Sequence, residues 1–88
     1  MTQLTKQMIQ SVSGQYDLES VVRLDLSGKG IADASCLQDC KHLEVLDLSG
    51  NSLEDFQCLE GLEELRVLNV AGNNIRDLRG LCGLKSLV

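Results

Sequence analysis

Residues 43–51 read LEVLDLSGN, from Leu43 to Asn51, and their spacing decides the fold. Leu46 and Leu48 alternate with Val45, Asp47 and Ser49, the period-two pattern of a strand with one buried face. Gly50 then supplies a residue free to bend the backbone sharply, and Asn51 follows. The same frame stands upstream at Val21–Lys29 as VVRLDLSGK and downstream at Leu65–Asn73 as LRVLNVAGN. Val21, Leu43 and Leu65 are 22 residues apart in turn. A fixed period of this size predicts stacked supersecondary units, each burying its apolar face against the next.

Each unit carries further apolar positions between one strand and the next. They are Ile31, Ala34, Leu37 and Cys40; Leu53, Phe56, Leu59 and Leu62; Ile75, Leu78, Leu81 and Leu84. Intervals of about three residues fit 3-10 or irregular helical turns on a convex side. Successive strands are then parallel, with each return segment as the crossover.

Recurring in register, the frame resembles the leucine-rich repeat, in its short 22-residue intracellular form, over residues 21–88. The opening QLTKQM, the YDLES before the first strand, the IADASCL of the first return and LDLSGN extend the likeness to one member of that family. The resemblance implies an α/β solenoid with a parallel sheet on the concave side. Its members include regulators of protein phosphatase 1, an axonemal dynein light chain and a spliceosomal A-prime protein. It therefore implies a non-enzymatic protein that binds a partner protein, with a regulatory subunit of a phosphatase or an axonemal motor ATPase as the alternative.

The repeats are placed at 21–42, 43–64 and 65–86, behind an N-terminal helical cap at 1–20. A repeat stack needs its end covered. Leu4 to Val12 reads as a short helix, with Thr5 as N-cap, Leu4 and Ile9 as a hydrophobic staple, and Gly14 past its end. Met8, Ile9 and Val12 are expected to supply the cover. Asn51 and Asn73 occupy a position where a buried amide satisfies unpaired backbone groups. Lys29 departs from this pattern in the first repeat, as end repeats commonly do. Leu87 would open a fourth repeat, which predicts a fragment of a longer repeat protein and self-association through an uncapped C-terminal end.

Composition narrows the function classes. Of 88 residues, 43% are apolar, proline is absent, and Tyr16 and Phe56 are the only aromatics, so leucine does the packing. Apolar runs never exceed three residues, against the ~20 needed to span a membrane. Met1 to Gln10 holds no apolar stretch of signal-peptide length. Cys36, Cys40, Cys58 and Cys82 read as reduced thiols, and the expected location is cytoplasmic, with the cytoskeleton, cilium or nucleus as further settings. A net charge of −5 is poorly suited to nucleic-acid backbones. Repeat two holds seven acids and no base, and repeat three four bases and one acid. Glu44 aligns with Arg66, Glu54 with Arg76, and Lys41, Glu63 and Lys85 alternate, which predicts pairing between repeats.

The exposed strand positions form columns: Arg23, Val45, Val67; Asp25, Asp47, Asn69; Ser27, Ser49, Ala71. These line the concave face, and Arg23, Asp25, Val45, Asp47, Arg66, Val67 and Asn69 are the candidate partner-binding residues. Asp25 and Asp47 lie side by side, to be neutralised by Arg23 and Arg66 or by a basic partner. No catalytic set, cofactor site or metal site is expected. Cys36, Cys40 and His42 lack a CxxC pair, and Cys40 shares its repeat position with Leu62. Cys36 and Cys58 share another position, so the two thiols are expected to approach each other. His42 falls on an exposed position with no nucleophile to serve, Ser27 and Ser49 have no histidine on their face, and no GxxxxGK[ST] occurs.

Overall fold

An alternating strand can bury one row of leucines only if something covers that row, and here the covering layer is the return half of the same repeats. A computed structural model of the chain describes residues 2–77. Its elements are β1 (Thr2–Gln3), α1 (Lys6–Ser13), β2 (Arg23–Asp25), β3 (Ile31–Asp33), β4 (Val45–Asp47) and β5 (Val67–Asn69). Three 3-10 turns lie at Leu18–Ser20, Ser35–Asp39 and Gln57–Leu59. The parallel sheet β2-β4-β5 pairs Arg23 with Val45 and Val67, Leu24 with Leu46 and Leu68, and Asp25 with Asp47 and Asn69. The columns headed by Arg23 and Asp25 are thus in the expected register.

The core is a leucine column with few exceptions. Leu24, Leu26, Leu46 and Leu48 point in from the sheet, and Ile31, Ala34, Leu37, Cys40, Leu53, Phe56, Leu59 and Leu62 close it from the return side. Leu68, Val70 and Ile75 are half-buried against the same cluster. Leu78, Leu81, Cys82, Leu84, Lys85 and Leu87 lie outside the described residues.

Gly28, Gly50 and Gly72 end the three strands with φ of 66, 68 and 71°. They also stack. A Cβ on Gly72 would stand 3.3 Å from the backbone nitrogen of Gly50, tighter than an ordinary van der Waals contact. Both the left-handed turn and the spacing between repeats therefore require glycine.

Asn51 holds the turns of neighbouring repeats together. Its Oδ1 accepts from the Lys29 and Ile31 N–H groups at 3.1 and 3.0 Å, and its Nδ2 donates to the Leu26, Leu48 and Ser49 carbonyls at 2.9, 2.8 and 3.2 Å. Asn73 repeats the device one unit on, accepting from Leu53 N–H at 3.0 Å and donating to Leu48 and Val70 carbonyls at 2.8 and 2.9 Å. Each amide reaches back to the preceding repeat. Repeat one has no repeat behind it, so its equivalent position has nothing to satisfy, and Lys29 sits there exposed.

The N-terminal cap keeps the expected N-cap and terminating glycine of its helix and differs from expectation in what packs around them. The helix starts after Thr5, whose hydroxyl accepts from Met8 N–H at 3.2 Å, and ends at Gly14 with φ 73°. Leu4 is not helical: its N–H donates to the Asp33 carbonyl at 2.7 Å, continuing a parallel pairing of β1 with β3. That pairing was not legible because two residues carry no periodicity. It extends a second backbone ladder along the returns, through Ser52 N–H to Ile31 O at 2.8 Å and Asn74 N–H to Leu53 O at 3.0 Å. Val12 is 39% exposed and does not cover the core. Leu4, Ile9 and Leu18 do, because Leu18 folds under the helix on its own 3-10 turn, capped by Asp17 accepting from Glu19 N–H at 3.0 Å.

Replacing Asn51 with alanine strands buried backbone groups on two repeats at once, at roughly 1–3 kcal/mol each. Urea denaturation of Asn51→Ala should show a loss of about 3 kcal/mol or more. The half-buried Asn73→Ala should lose less.

Candidate functional site

Strand alternation that turns leucines inward turns the intervening residues outward, and in a parallel stack these form straight rows. One row is Arg23, Val45 and Val67, and the next is Asp25, Asp47 and Asn69. Six of the seven candidate residues stand in these two rows, and Arg66 lies just before β5, outside them. Arg23, Asp25, Arg66, Val67 and Asn69 are exposed, while Val45 and Asp47 are half-buried beneath their neighbours.

The aspartates are not neutralised by arginine. Asp25 Oδ1 accepts from Ser27 N–H at 3.0 Å and Ser27 Oγ–H at 2.7 Å. Asp47 Oδ1 does the same with Ser49 at 2.9 and 2.7 Å, and Asn69 Oδ1 accepts from Ala71 N–H at 3.1 Å. Each side chain closes the turn that leaves its own strand. The backbone N–H and hydroxyl of Ser27 stabilise the Asp25 carboxylate and hold its pKa below the ordinary 3.8. Arg66 turns the other way, its Nε 3.1 Å from Glu44 Oε1. The Arg23 side chain has no hydrogen-bond or ion-pair partner among the described residues.

Charge pairing between repeats is narrower than the alignment suggests. Glu44 and Arg66 pair as expected, and a second pair joins His42 Nδ1 to Glu64 Oε2 at 2.8 Å. Residues one period apart occupy one column, so the His42–Glu64 contact was available to the reading that paired Glu44 with Arg66. Both pairs are exposed and contribute about 0–1 kcal/mol. Glu54 and Arg76 meet only through backbone, Arg76 N–H donating to Glu54 O at 2.6 Å, and their side chains form no ion pair among the described residues. The return side consequently keeps Asp33, Glu54, Asp55 and Glu60 around a groove of about 590 Å³ between repeats one and two. Asp33 and Asp55 have local work there, accepting from Ser35 and Gln57 N–H at 3.0 and 3.1 Å to cap the two 3-10 turns.

The thiols belong to the core. Burial pushes Cys58 up to about 12 and Cys40 up to about 11, far from the thiolate a nucleophile or metal ligand requires. Cys36, raised by partial burial, donates to the Leu4 carbonyl at 3.2 Å and so helps hold the N-terminal strand. Cys36, Cys40 and Cys58 are unbridged.

Residues 21–75 match the family described as leucine rich repeat. Among curated proteins, the chain is 45% identical over 42 residues to leucine-rich repeat-containing protein 61 of Homo sapiens, a match spanning 48% of this chain and 16% of that protein. The Mus musculus protein of the same name is 42% identical over 41 residues, spanning 47% and 16%. A crystal structure of an internalin from Listeria monocytogenes superposes on 93% of this chain and 27% of its own, with a TM-score of 0.83 and 27% identity. The chain thus corresponds to a minor part of the length of each.

Two measurements check the site chemistry. In carbon-detected titration, Asp25 should protonate below 3.8, and Ser27→Ala should move it back up. A depressed carboxylate stabilises the fold above its unfolded pKa, so its contribution disappears as pH falls through the lower folded value. At neutral pH, Cys40 and Cys58 should resist an aromatic disulfide reagent in the native protein and react once it is unfolded in urea.

Proposed function

This chain belongs to the leucine-rich repeat family, and from that premise we propose that it is a non-catalytic module that holds a partner protein on its concave face. Folds of this family generally mediate protein–protein interaction. The observation that carries the concave reading is the row Arg23–Val45–Val67 beside the row Asp25–Asp47–Asn69. Val67 is 49% exposed on β5, beside the half-buried Val45 of the central strand, and Arg23, Asp25 and Asp47 stand in the same two rows. Partner faces combine an apolar centre with a polar margin in this way. The remaining outward polar groups of the strands are occupied in turns, so the rows are rigid, which lowers the entropic cost of association. A cytoplasmic setting accords with the unbridged thiols, which that compartment keeps reduced.

The test is retrieval from cell extract with the whole chain and two concave variants, Val67→Asp and Asp25→Lys, against a return-side control, Glu60→Lys. A partner recovered by the parent chain and the control, and lost at least about tenfold by both concave variants, fits the proposal. Equal recovery by all four chains sinks it. If the retained protein is an enzyme, its turnover with and without the chain tells a regulator from a scaffold.

A further inference from the structure

The end of the apolar row nearest the cap is built differently from the rest of the sheet. Val45 and Val67 are followed, in the same row, by Arg23, whose side chain has no partner among the described residues. Arg23 also lines a cleft of about 340 Å³ between the end of α1 and the start of β2, together with Ser13, Gln15, Ser20, Val21 and Val22. Arg23 is the only charged residue in that lining. Val22, 40% exposed, gives the cleft an apolar lip. The neighbouring arginine, Arg66, is tied to Glu44, so Arg23 is the group at this site left to receive a carboxylate.

The row has a second property, its repeat distance. Adjacent strands are about 4.8 Å apart, so Arg23, Val45 and Val67 are spaced by about 4.8 Å and span about 10 Å. An α-helix rises about 1.5 Å per residue, placing positions i, i+3 and i+7 at heights of about 0, 4.5 and 10.5 Å along one stripe. An extended segment returns a side chain to one face only every ~6.6 Å and falls out of step by the third strand. The row therefore matches a helical stripe. A helix about 10 Å wide laid along it also covers the Asp25–Asp47 row beside it.

We propose that the concave face receives an amphipathic α-helix of a partner protein, laid across the strands. A Glu or Asp of this helix binds Arg23 at the cap cleft, and aliphatic residues one and two turns on sit over Val45 and Val67. A Lys or Arg on the adjoining stripe faces Asp25 and Asp47, whose second carboxylate oxygens make no hydrogen bond among the described residues. The assignment rests on the concave-face reading given above and adds the chemistry and secondary structure of the occupant.

Two peptide libraries displayed on phage, selected against the whole chain, test it. One is an alanine-rich helix of about 16 residues closed by a side-chain lactam, long enough to stay helical, and the other is linear and interrupted by proline. Helical winners with an acid followed at i+3 or i+4 and i+7 by aliphatic residues are expected. Arg23→Glu should weaken them at least about tenfold, and exchanging the peptide's acid for lysine should restore binding to that variant. Winners lost on Val67→Asp but unaffected by Arg23→Glu, or drawn from the linear library, overturn the helix assignment and leave the concave face standing. Winners indifferent to both substitutions, or no winners from either library, overturn both.

Discussion

The carboxamide of Asn51 is the contact on which the rest of the molecule depends. A 22-residue repeat must turn abruptly from its strand, and such a turn leaves several backbone donors and acceptors inside the stack with no ladder to join. One side chain carrying two donors and two acceptor lone pairs serves groups at Leu26, Leu48 and Ser49 on one side and Lys29 and Ile31 on the other. Because these groups belong to two repeats, the interaction sets the register between them as well as the shape of one turn. The glycine stack beneath it and the leucine rows beside it follow from that register. The same logic accounts for Lys29: an amide that links a repeat to its predecessor has no purpose in the first repeat.

The concave surface inherits its order from this arrangement. The aspartates that look like a dedicated acidic patch have one oxygen each committed to closing a turn through Ser27 or Ser49, and the second oxygen faces out. They thus serve the fold with one oxygen and leave the other without a hydrogen bond among the described residues. Arg66 is held by Glu44, whereas Arg23 is left over, beside the cleft between cap and sheet. Which charges this face presents to solvent depends on those the fold has already occupied, more than on how many there are.

Periodic contacts were legible in the sequence, and aperiodic ones were not. The strands, their columns, the buried amides and the Glu44–Arg66 pair all follow from residues recurring at one interval. The pairing of β1 with β3 involves two polar residues that occur once, and no local pattern marks them. Val12 departs from its expected role for a related reason. Helical spacing assigned Val12 to the core, but in the folded cap Val12 is exposed and Leu18 from the following turn is buried. Aligned charges were a partial guide, since Glu54 and Arg76 share a column and touch only through their backbones.

The sequence by itself determined the repeat, its length, the buried face of each strand and the residues offered to solvent on the other. These are consequences of a period of two within the strand and of 22 between strands, which any parallel stack must obey. The tertiary structure decided what covers the first repeat, which charged groups are consumed by turns and pairs, and where a free cation meets an open cleft. Those outcomes depend on how a non-repeating cap packs against a repeating sheet and on which acceptors lie within reach of each side chain. Neither is encoded in any one stretch of the chain.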